Sequence, residues 1–302
     1  MNLERKVAVI LCVKDSQEFI KEQIESIQRQ SFRSLDIFIG DDGCSKRVLE
    51  YLKSYSKKII IGPKKSFAHN FLNTLMHVPK DYDYYSFCDH DDIWHEDKLE
   101  RAINELEKFD SKVPNLYCGR TELINKDGSE IGLSPLFKKS PSFKNALIQS
   151  IAGGNTMVLN RKSAQLLEKA ELSLPIVSHD WLTYIFVSGA GGNVVYDLEP
   201  SVKYRIHKDN LIGSNIGFKS ILQRSFKVFS GEWKDWIQIN IDQINKAALL
   251  NLKNKIIYHG FIEMRNEKNI FRKIILLKKF GFYRQSILGN VALIFMIVFN
   301  RI

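Results

Sequence analysis

The sequence predicts an α/β fold in which helices flank a mostly parallel sheet. Val7–Val13 is a continuous apolar run of the kind that forms a buried parallel strand. Apolar residues then recur at helical spacing at Leu99, Ala102, Ile103, Leu106 and Phe109. Because strand and helix patterns of this length alternate along the first part of the chain, we expect βαβ units whose sheet is covered on both faces.

Five predicted strands and the helices between them make up this first part. The strands are expected at residues 7–13, 35–40, 57–62, 84–88 and 115–119. Asp15 and Glu18 have the spacing of a capping box, so the first helix is expected to begin there. In sheets of this type, ligands bind at the carboxyl ends of the strands, which makes the residues after each strand the candidate site.

The pattern becomes less regular after about residue 126. Short helices are expected in SFKNALIQS, RKSAQLLEKA and SHDWLTYIFVSG, and strands in NTMVLN and GNVVYDL. From Ile216 onward, the chain is predicted to form basic amphipathic helices. We therefore expect an α/β domain over residues 1–215, with halves of about 1–125 and 126–215, and a basic helical C-terminal region over residues 216–302.

Positive charge is concentrated in the C-terminal region. The chain has a net charge of +10, and residues 251–284 contain nine Lys/Arg against two Glu, so most of the surplus lies there. Such a region is typical of contact with nucleic acid, an anionic membrane or an acidic substrate. The longest apolar run, residues 287–299, contains Gly289 and Asn290 and is too short for a bilayer span, so no transmembrane segment is predicted.

The cysteines do not predict a metal site. Cys12, Cys44, Cys88 and Cys118 are scattered and lack the CxxC spacing that is typical of zinc sites. We expect small buried residues in a reducing compartment.

Acidic residues follow three of the predicted strands, at Asp15, in DDG (residues 41–43) and in DHDD (residues 89–92). These three clusters should converge, because the carboxyl ends of parallel strands share one edge of a sheet. Closely spaced carboxylates repel one another, and a divalent cation such as Mg²⁺ relieves the repulsion while keeping positions for phosphate oxygens. The sequence therefore predicts a divalent metal site, and Asp92 has the alternative role of capping a helix that begins near Trp94.

In their order along the chain, these segments resemble the family 2 glycosyltransferases with the GT-A fold. The resemblance covers about Val7 to Ser214 and is carried by VAVILCVKD, IKEQIESIQRQSF, DIFIGDDGCSK, FCDHDDIWHEDKL, GGNTMVLNRK and SHDWL. VKYRIHKDNLIGS closely resembles the end of the catalytic domain in rhamnosyltransferase-like members. Residues 1–125 would then be the nucleotide-sugar half and residues 126–215 the acceptor half.

The resemblance implies a role for each site residue. Nucleotide-sugar binding would fall to Val13, Asp15, Asp41, Asp42, Asn70 and Asp89. Asp91 would be the principal ligand of Mg²⁺ or Mn²⁺, together with Asp89 and His207. Asp180 would be the general base, and the acceptor would meet Gly154, Asn155, His179 and Trp181. From the residues alone, Asp180 would equally suit the first turn of a helix, and Trp181 a position in the core.

The implied activity is metal-dependent transfer of a sugar, with inversion, from a nucleotide-sugar donor to a hydroxyl group. The absence of a QxxRW motif favours single addition over processive synthesis. CVKD stands where PTYN is commoner in the family, and DDGCSK lacks the usual later acid, which leaves the base contacts less defined. The resemblance points to dTDP-L-rhamnose as donor and a lipid-linked oligosaccharide of bacterial capsule, O-antigen or cell-wall polysaccharide as acceptor.

Three alternatives stay open from the sequence. The first is a UDP-hexose-dependent transferase of the same family. The second is a nucleotidyltransferase, which would require a glycine-rich loop that CVKDSQEFI lacks. The third is a basic module that binds membrane or nucleic acid, which would leave the acidic clusters unexplained; for the transferase, no nucleic acid is expected as a partner.

The C-terminal helices offer two further partners. Ile270, Phe271, Ile274 and Leu277 are expected on one helical face, with Arg272 and Lys279 opposite. Such a helix is typical of contact with an anionic membrane surface, and the final apolar run has a homodimer interface as its alternative. We therefore expect a cytoplasmic protein that lies on the inner face of the bacterial cell membrane.

Overall fold

The computed structural model describes residues 5–14, 18–207 and 231–302. A seven-stranded sheet lies at its centre, with strand order β10-β6-β9-β4-β1-β2-β3, and a four-stranded sheet lies beside it, with order β5-β11-β7-β8. Every neighbouring pair in the large sheet is parallel except the two pairs made by β9. The predicted mostly parallel α/β architecture is therefore confirmed.

The strands have these bounds: β1 Val7–Val13, β2 Leu35–Asp41, β3 Lys58–Ile61, β4 Tyr84–Cys88, β5 Ile93–Trp94, β6 Asn115–Gly119, β7 Glu122–Ile124, β8 Glu130–Leu133, β9 Val158–Asn160, β10 Asn193–Asp197 and β11 Val202–Arg205.

The helices of the described ranges, which include one 3-10 turn at Gly154–Thr156, have these bounds: α1 Ile20–Gln28, α2 Lys46–Lys53, α3 Phe67–His77, α4 Lys98–Leu106, α5 Phe143–Ala146, α6 Arg161–Leu167, α7 His179–Gly189, α8 Glu232–Ala247, α9 Leu252–Asn266, α10 Ile270–Phe280 and α11 Ile287–Val298.

Strand β1 shows how the sequence builds the two faces of the sheet. All seven of its residues are buried. Successive side chains of a strand point to opposite faces. Ala8, Ile10 and Cys12 therefore enter one hydrophobic cluster, and the residues between them enter the other. A strand buried on both faces needs a continuous apolar run, which is what Val7–Val13 provides.

The small sheet fixes the segment that follows β4. Strand β5 pairs antiparallel with β11, and β11 pairs parallel with β7. This pairing holds residues 89–92, which join β4 to β5, against the end of β11. The predicted helix near Trp94 is wrong, because Trp94 lies in β5 and α4 begins at Lys98.

The start of the first helix also differs from the prediction. Helix α1 begins at Ile20, after an N-cap position at Phe19 whose side chain makes no capping hydrogen bond. Glu18 instead forms an ion pair with Lys126 across 2.8 Å. Asp15, the other half of the predicted capping box, lies outside the described residues.

The C-terminal helices pack on the α/β core. Ile237, Ile241 and Ile244 of α8 belong to the same buried cluster as Trp181 of α7. The predicted boundary near Asn215 lies outside the described residues and stays a prediction. None of the helices in the described ranges is both long and apolar enough to cross a membrane.

Candidate active site

The ends of β1 and β2 form one side of the site. Val13 pairs in register with Asp41, and the Asp42 amide donates to the Val13 carbonyl across 3.0 Å. One carboxylate oxygen of Asp41 accepts from the amides of Gly43 and Cys44, at 3.0 and 2.7 Å. Although partial burial acts to raise the pKa of Asp41, these amides together lower it, so the group is held as a carboxylate.

Asp42 and Asn70 complete this side. The Asp42 carboxylate accepts from the Lys64 amide across 2.9 Å. Asn70, buried on α3, donates to the Gly40 carbonyl across 3.0 Å, and its own side-chain oxygen has no hydrogen-bond partner among the described residues. Five of the six predicted nucleotide-sugar residues are thus at the carboxyl edge of the sheet, while Asp15 lies outside the described ranges.

The loop after β4 and the end of β11 form the second side. The His207 Nε2 atom lies 2.8 Å from the Asp91 carboxylate, and both side chains are largely buried. The rings of Phe19 and His207 are 5.5 Å apart, which holds the imidazole against the start of α1. The structure therefore brings together two of the three predicted metal ligands.

Asp92 has an anchoring role in place of the predicted helix cap. Its carboxylate accepts from the Asn155 side-chain amide at 2.5 Å and from the Arg205 backbone amide at 3.1 Å. Asp92 is fully buried, and desolvation, followed by the charges of Asp91 and Asp89, raises its pKa well above the ordinary value. These contacts connect the acidic loop, residues 89–92 after β4, to the turn before β9 and to β11.

Arg205 holds the acidic loop from behind. Its guanidinium donates to the carbonyls of Asp91 and Lys126, at 3.0 and 2.8 Å, and pairs with the Glu22 carboxylate. It also lies 4.4 Å from the centre of the Phe19 ring. Arg205 is 1% exposed. These contacts hold the backbone of the loop after β4 in place.

Lys98 is a buried lysine that the sequence analysis did not single out. Its Nζ atom lies 3.1 Å from the centre of the Trp94 ring and 3.1 Å from the Ser86 hydroxyl. Desolvation lowers its pKa from 10.5 to about 7, although Cys88, Asp92 and Asp89 act to raise it. The signal was present in the helical spacing, because Lys98 precedes Ala102 by four residues and therefore shares its buried side of α4.

Replacing Lys98 with methionine is expected to change how stability depends on pH. Because the pKa is lowered to about 7, the folded chain binds fewer protons than the unfolded chain between pH 7 and 10.5. The folded state therefore gains stability as pH rises through this window, by up to about 1.4 kcal/mol per pH unit. Relative to Lys98→Met, the natural protein should become more stable with rising pH, as measured by urea unfolding.

The exposed Lys108 provides the control for this experiment. Lys108→Met should leave the pH dependence of the free energy of unfolding unchanged. Parallel pH curves for the natural protein and Lys98→Met would contradict the assigned pKa of Lys98.

Asp89 and Asp180 are distant in sequence, but the charge of Asp180 acts on Asp89. Desolvation, then the charges of Asp91 and Asp180, raise the pKa of Asp89 to about 8. Asp180 lies in the first turn of α7, where its carboxylate accepts from the Ser178 hydroxyl and, at 2.5 Å, from the Trp181 amide. Desolvation raises the pKa of Asp180, and these hydrogen bonds limit the rise.

His179 and Gly154 make a close contact behind Asp180. The His179 ring stacks on Phe71 with centroids 4.0 Å apart and meets the Phe87 ring edge-on. Burial lowers its pKa to about 3, so the imidazole is neutral. A Cβ atom on Gly154 would lie 2.0 Å from the imidazole, which explains why glycine occupies this position. His179 is thus enclosed by Phe71, Phe87 and Gly154.

Gly154→Ala is therefore expected to lower the free energy of unfolding by about 1–3 kcal/mol through overpacking. The measurement is urea unfolding of Gly154→Ala, His179→Ala and the double variant. Because the added methyl group meets the imidazole, its cost should largely disappear when His179 is already alanine. An unchanged cost in the double variant would show that the contact with His179 is not its cause.

Trp181 lies in the core. Its indole N–H donates to the Ala146 carbonyl across 2.7 Å, and its ring lies 5.5 Å from that of Trp233 in α8. Trp181 is 3% exposed. All four predicted acceptor residues are buried, namely Gly154, Asn155, His179 and Trp181.

The acidic residues present suit a divalent cation. Within the described ranges, no three His, Cys, Asp or Glu side chains form a complete metal-binding group. Asp91 and His207 nevertheless place a carboxylate oxygen and an imidazole nitrogen side by side. Mg²⁺ typically takes one or two protein carboxylates and completes its shell with water and substrate phosphates, so a partial set fits this chemistry.

The fold is that of a GT-A glycosyltransferase. Residues 8–167, more than half of the chain, match the family described as Glycosyl transferase family 2, and the chain belongs to this family. The predicted family is confirmed, and membership decides against the nucleotidyltransferase and the non-enzymatic binding module.

Known proteins resemble the chain over most of its length. The dTDP-rhamnosyl transferase RfbG of Shigella flexneri is 26% identical over 299 residues, which cover 93% of this chain and 96% of that protein. The structure of S. aureus TarS 1-349 in complex with UDP matches with a TM-score of 0.53 at 12% identity, over 78% of this chain and 65% of that one. The mannosyltransferase PcManGT from Pyrobaculum calidifontis, in complex with GDP-Man and Mn²⁺, matches with a TM-score of 0.50 at 12% identity, over 99% of this chain and 88% of that one. At these identities the two structures support the fold alone.

Proposed function

We propose that this glycosyltransferase moves L-rhamnose from dTDP-L-rhamnose to a hydroxyl group of a lipid-linked oligosaccharide, with inversion and with a divalent metal. The product would be a building block of bacterial capsule, O-antigen or cell-wall polysaccharide. The observation that carries the proposal is that Asp91 contacts His207 and that the charges of Asp91 and Asp180 both act on Asp89. The similarity to a dTDP-rhamnosyl transferase over nearly the whole chain supports the choice of sugar.

The donor nucleotide would lie along the ends of β1 and β2. Val13, Asp41 and Asp42 present backbone and carboxylate oxygens there, which suit the N–H groups of a base and the hydroxyls of a ribose. Asn70 lies under the end of β2 and carries a buried oxygen that a donor hydroxyl would satisfy. Asp15 stays in the proposed set on the resemblance alone.

The diphosphate would lie at the acidic loop. Asp91 and His207 would hold Mg²⁺ or Mn²⁺, with Asp89 beside them, and the bound cation would neutralise the charge that develops on the departing diphosphate. The chain's own contribution is positional, because Arg205 and Asp92 fix the backbone of this loop through buried hydrogen bonds.

Asp180 would take the proton of the acceptor hydroxyl. The freed oxygen would then attack the anomeric carbon from the side opposite the nucleotide, so that the new glycosidic bond forms as the bond to the diphosphate breaks. A carboxylate with a raised pKa is a better match for this proton transfer than a fully solvated one. Gly154, Asn155, His179 and Trp181 would shape the acceptor side from beneath this carboxylate.

Release of nucleoside diphosphate from a set of donors tests the proposal. The set is dTDP-L-rhamnose, UDP-glucose, UDP-N-acetylglucosamine and GDP-mannose, each with Mn²⁺ and with a chelator. We expect metal-dependent release from dTDP-L-rhamnose. Release from a UDP-hexose alone would favour the alternative transferase of the same family, and no release from any donor at any metal concentration would overturn the donor assignment.

A further inference from the structure

Helix α11 exposes an apolar face. Its outward residues follow helical spacing and are Ile287, Leu288, Val291, Ile294 and Phe295, with Phe299 just beyond. Ile287 is 83% exposed, and the rings of Phe295 and Phe299 stack. On the opposite side, Leu293 and Met296 are buried in the core. A contiguous apolar surface of this kind typically marks a contact with a membrane or a protein.

Helix α10 packs against α11 and adds a second set of exposed apolar residues. Phe271 is 81% exposed, and Ile275 lies one turn further along. The predicted apolar stripe is wrong in part, because Ile274 and Leu277 pack on the core. Lys273 is buried as well, and it donates to the Asn300 side chain across 2.5 Å.

The charge of this helical pair is entirely positive. From Lys268 to Ile302 the sequence contains no Asp or Glu, and its basic residues are Lys268, Arg272, Lys273, Lys278, Lys279, Arg284 and Arg301. Lys268, Lys278 and Lys279 are exposed. An apolar face flanked by basic residues is complementary to a bilayer surface that contains anionic lipids.

The same charges argue against a second copy of the chain as the occupant. In a two-fold symmetric interface, each surface meets its own equivalent, so the basic residues of one α10–α11 pair would approach those of the other. Like charges brought together in this way oppose association. The twelve residues of α11 would also extend only about 18 Å, which is short of a bilayer core and suits a helix that lies in the interface.

We propose that α10 and α11 form an interfacial anchor, in which the apolar face enters the headgroup region of an anionic bilayer. Phe271, Ile275, Leu288 and Phe295 would be the inserting side chains, and Lys268, Lys278 and Lys279 would meet lipid phosphates. The inference rests on the proposed function for its purpose, because it would bring the site to a lipid-linked acceptor. The binding itself is independent of the donor.

Co-sedimentation of the full-length protein with vesicles tests the anchor. The vesicles are phosphatidylcholine with and without phosphatidylglycerol. The natural protein should bind the anionic vesicles at least about tenfold more tightly than the neutral ones, and added salt should weaken the binding. Leu288→Glu/Phe295→Glu and Lys268→Gln/Lys278→Gln/Lys279→Gln should each lower binding to anionic vesicles by about tenfold or more.

Matched controls separate the anchor from general surface effects. Ile131→Glu, at an exposed apolar residue of β8, and Lys112→Gln/Lys162→Gln/Lys169→Gln, at exposed lysines outside the C-terminal region, should bind as the natural protein does. Equal loss in these controls would overturn the proposal. The proposal would also be overturned if the natural protein did not bind anionic vesicles, including the case in which it dimerises in solution through residues 288 and 295.

Measuring the release of nucleoside diphosphate in vesicle-free buffer distinguishes failure of the anchor from failure of the proposed function. The anchor variants should retain this activity, because their substitutions lie on exposed positions away from the acidic loop. Vesicle binding without any donor turnover would support the anchor and contradict the donor assignment. Donor turnover without vesicle binding would support the donor assignment and contradict the anchor.

Discussion

Asp180→Asn is expected to lower the rate of sugar transfer by about 10²–10⁴-fold, the usual contribution of a general base. Asparagine keeps the size of the side chain and can still accept from Ser178 and from the Trp181 amide, so the start of α7 should be preserved. The affinity for the donor should change little, because the proposed donor-binding residues lie on other elements. The measurement is kcat for transfer together with donor binding by calorimetry.

The dependence of kcat on pH gives this substitution a second measurement. Burial raises the pKa of Asp180, so the carboxylate becomes protonated, and unable to act as a base, at a higher pH than an exposed aspartate would. The rate should therefore fall as pH drops through that raised pKa, and the residual rate of Asp180→Asn should lack this fall. Asp235→Asn, at an exposed aspartate in the first turn of α8, is the matched control and should behave as the natural protein. Full activity in Asp180→Asn would remove the base assignment.

Asp91→Asn is expected to lower metal-dependent transfer by about 10²–10³-fold, because Lewis-acid stabilisation of a leaving diphosphate contributes several kcal/mol. The amide retains an oxygen but lacks the charge that attracts a divalent cation, and it also weakens the contact with His207. The activity that remains should respond little to added Mn²⁺. Titration of Mn²⁺ against transfer rate, at saturating donor, measures this response.

His207→Gln provides an independent check on the metal site. If Asp91 and His207 hold the same cation, both variants should need more Mn²⁺ for half-maximal activity. Asp110→Asn, at an exposed aspartate after α4, should leave the Mn²⁺ titration unchanged. An unaltered titration in both site variants would place the metal elsewhere.

The fold could be predicted because its signals are local. A strand buried on both faces requires a run such as Val7–Val13, and a helix packed on one side requires a stripe such as Leu99–Leu106. The antiparallel β9 was expected only as a strand, since the direction in which three residues pair depends on neighbours that are distant in sequence. The start of α1 was missed because the predicted capping pair, Asp15 and Glu18, rests on spacing alone, and Glu18 pairs instead with Lys126.

The site was predictable to the level of which residues follow which strands. Asp41, Asp42 and Asp89 occur at strand ends in the sequence, and parallel strands necessarily bring their ends together. The partners of each residue were not predictable. Asp92 meets Asn155, and Arg205 meets Glu22, across long separations along the chain. Such pairs depend on how distant elements pack in three dimensions, which no local sequence pattern records.

The position of β9 has a consequence for the order in which the enzyme is assembled during synthesis. β6 has only β9 and β10 as neighbours in the large sheet, and both emerge later from the ribosome. A nascent chain of about 125 residues can therefore pair strands β1, β2, β3 and β4 with one another, but β6 has no strand to pair with. The edge formed by the ends of β1 and β2 can form early, whereas β6 joins the sheet only after β9 has paired with β4. Because β9 pairs with both β4 and β6, we expect the two predicted halves to fold together rather than as independent modules.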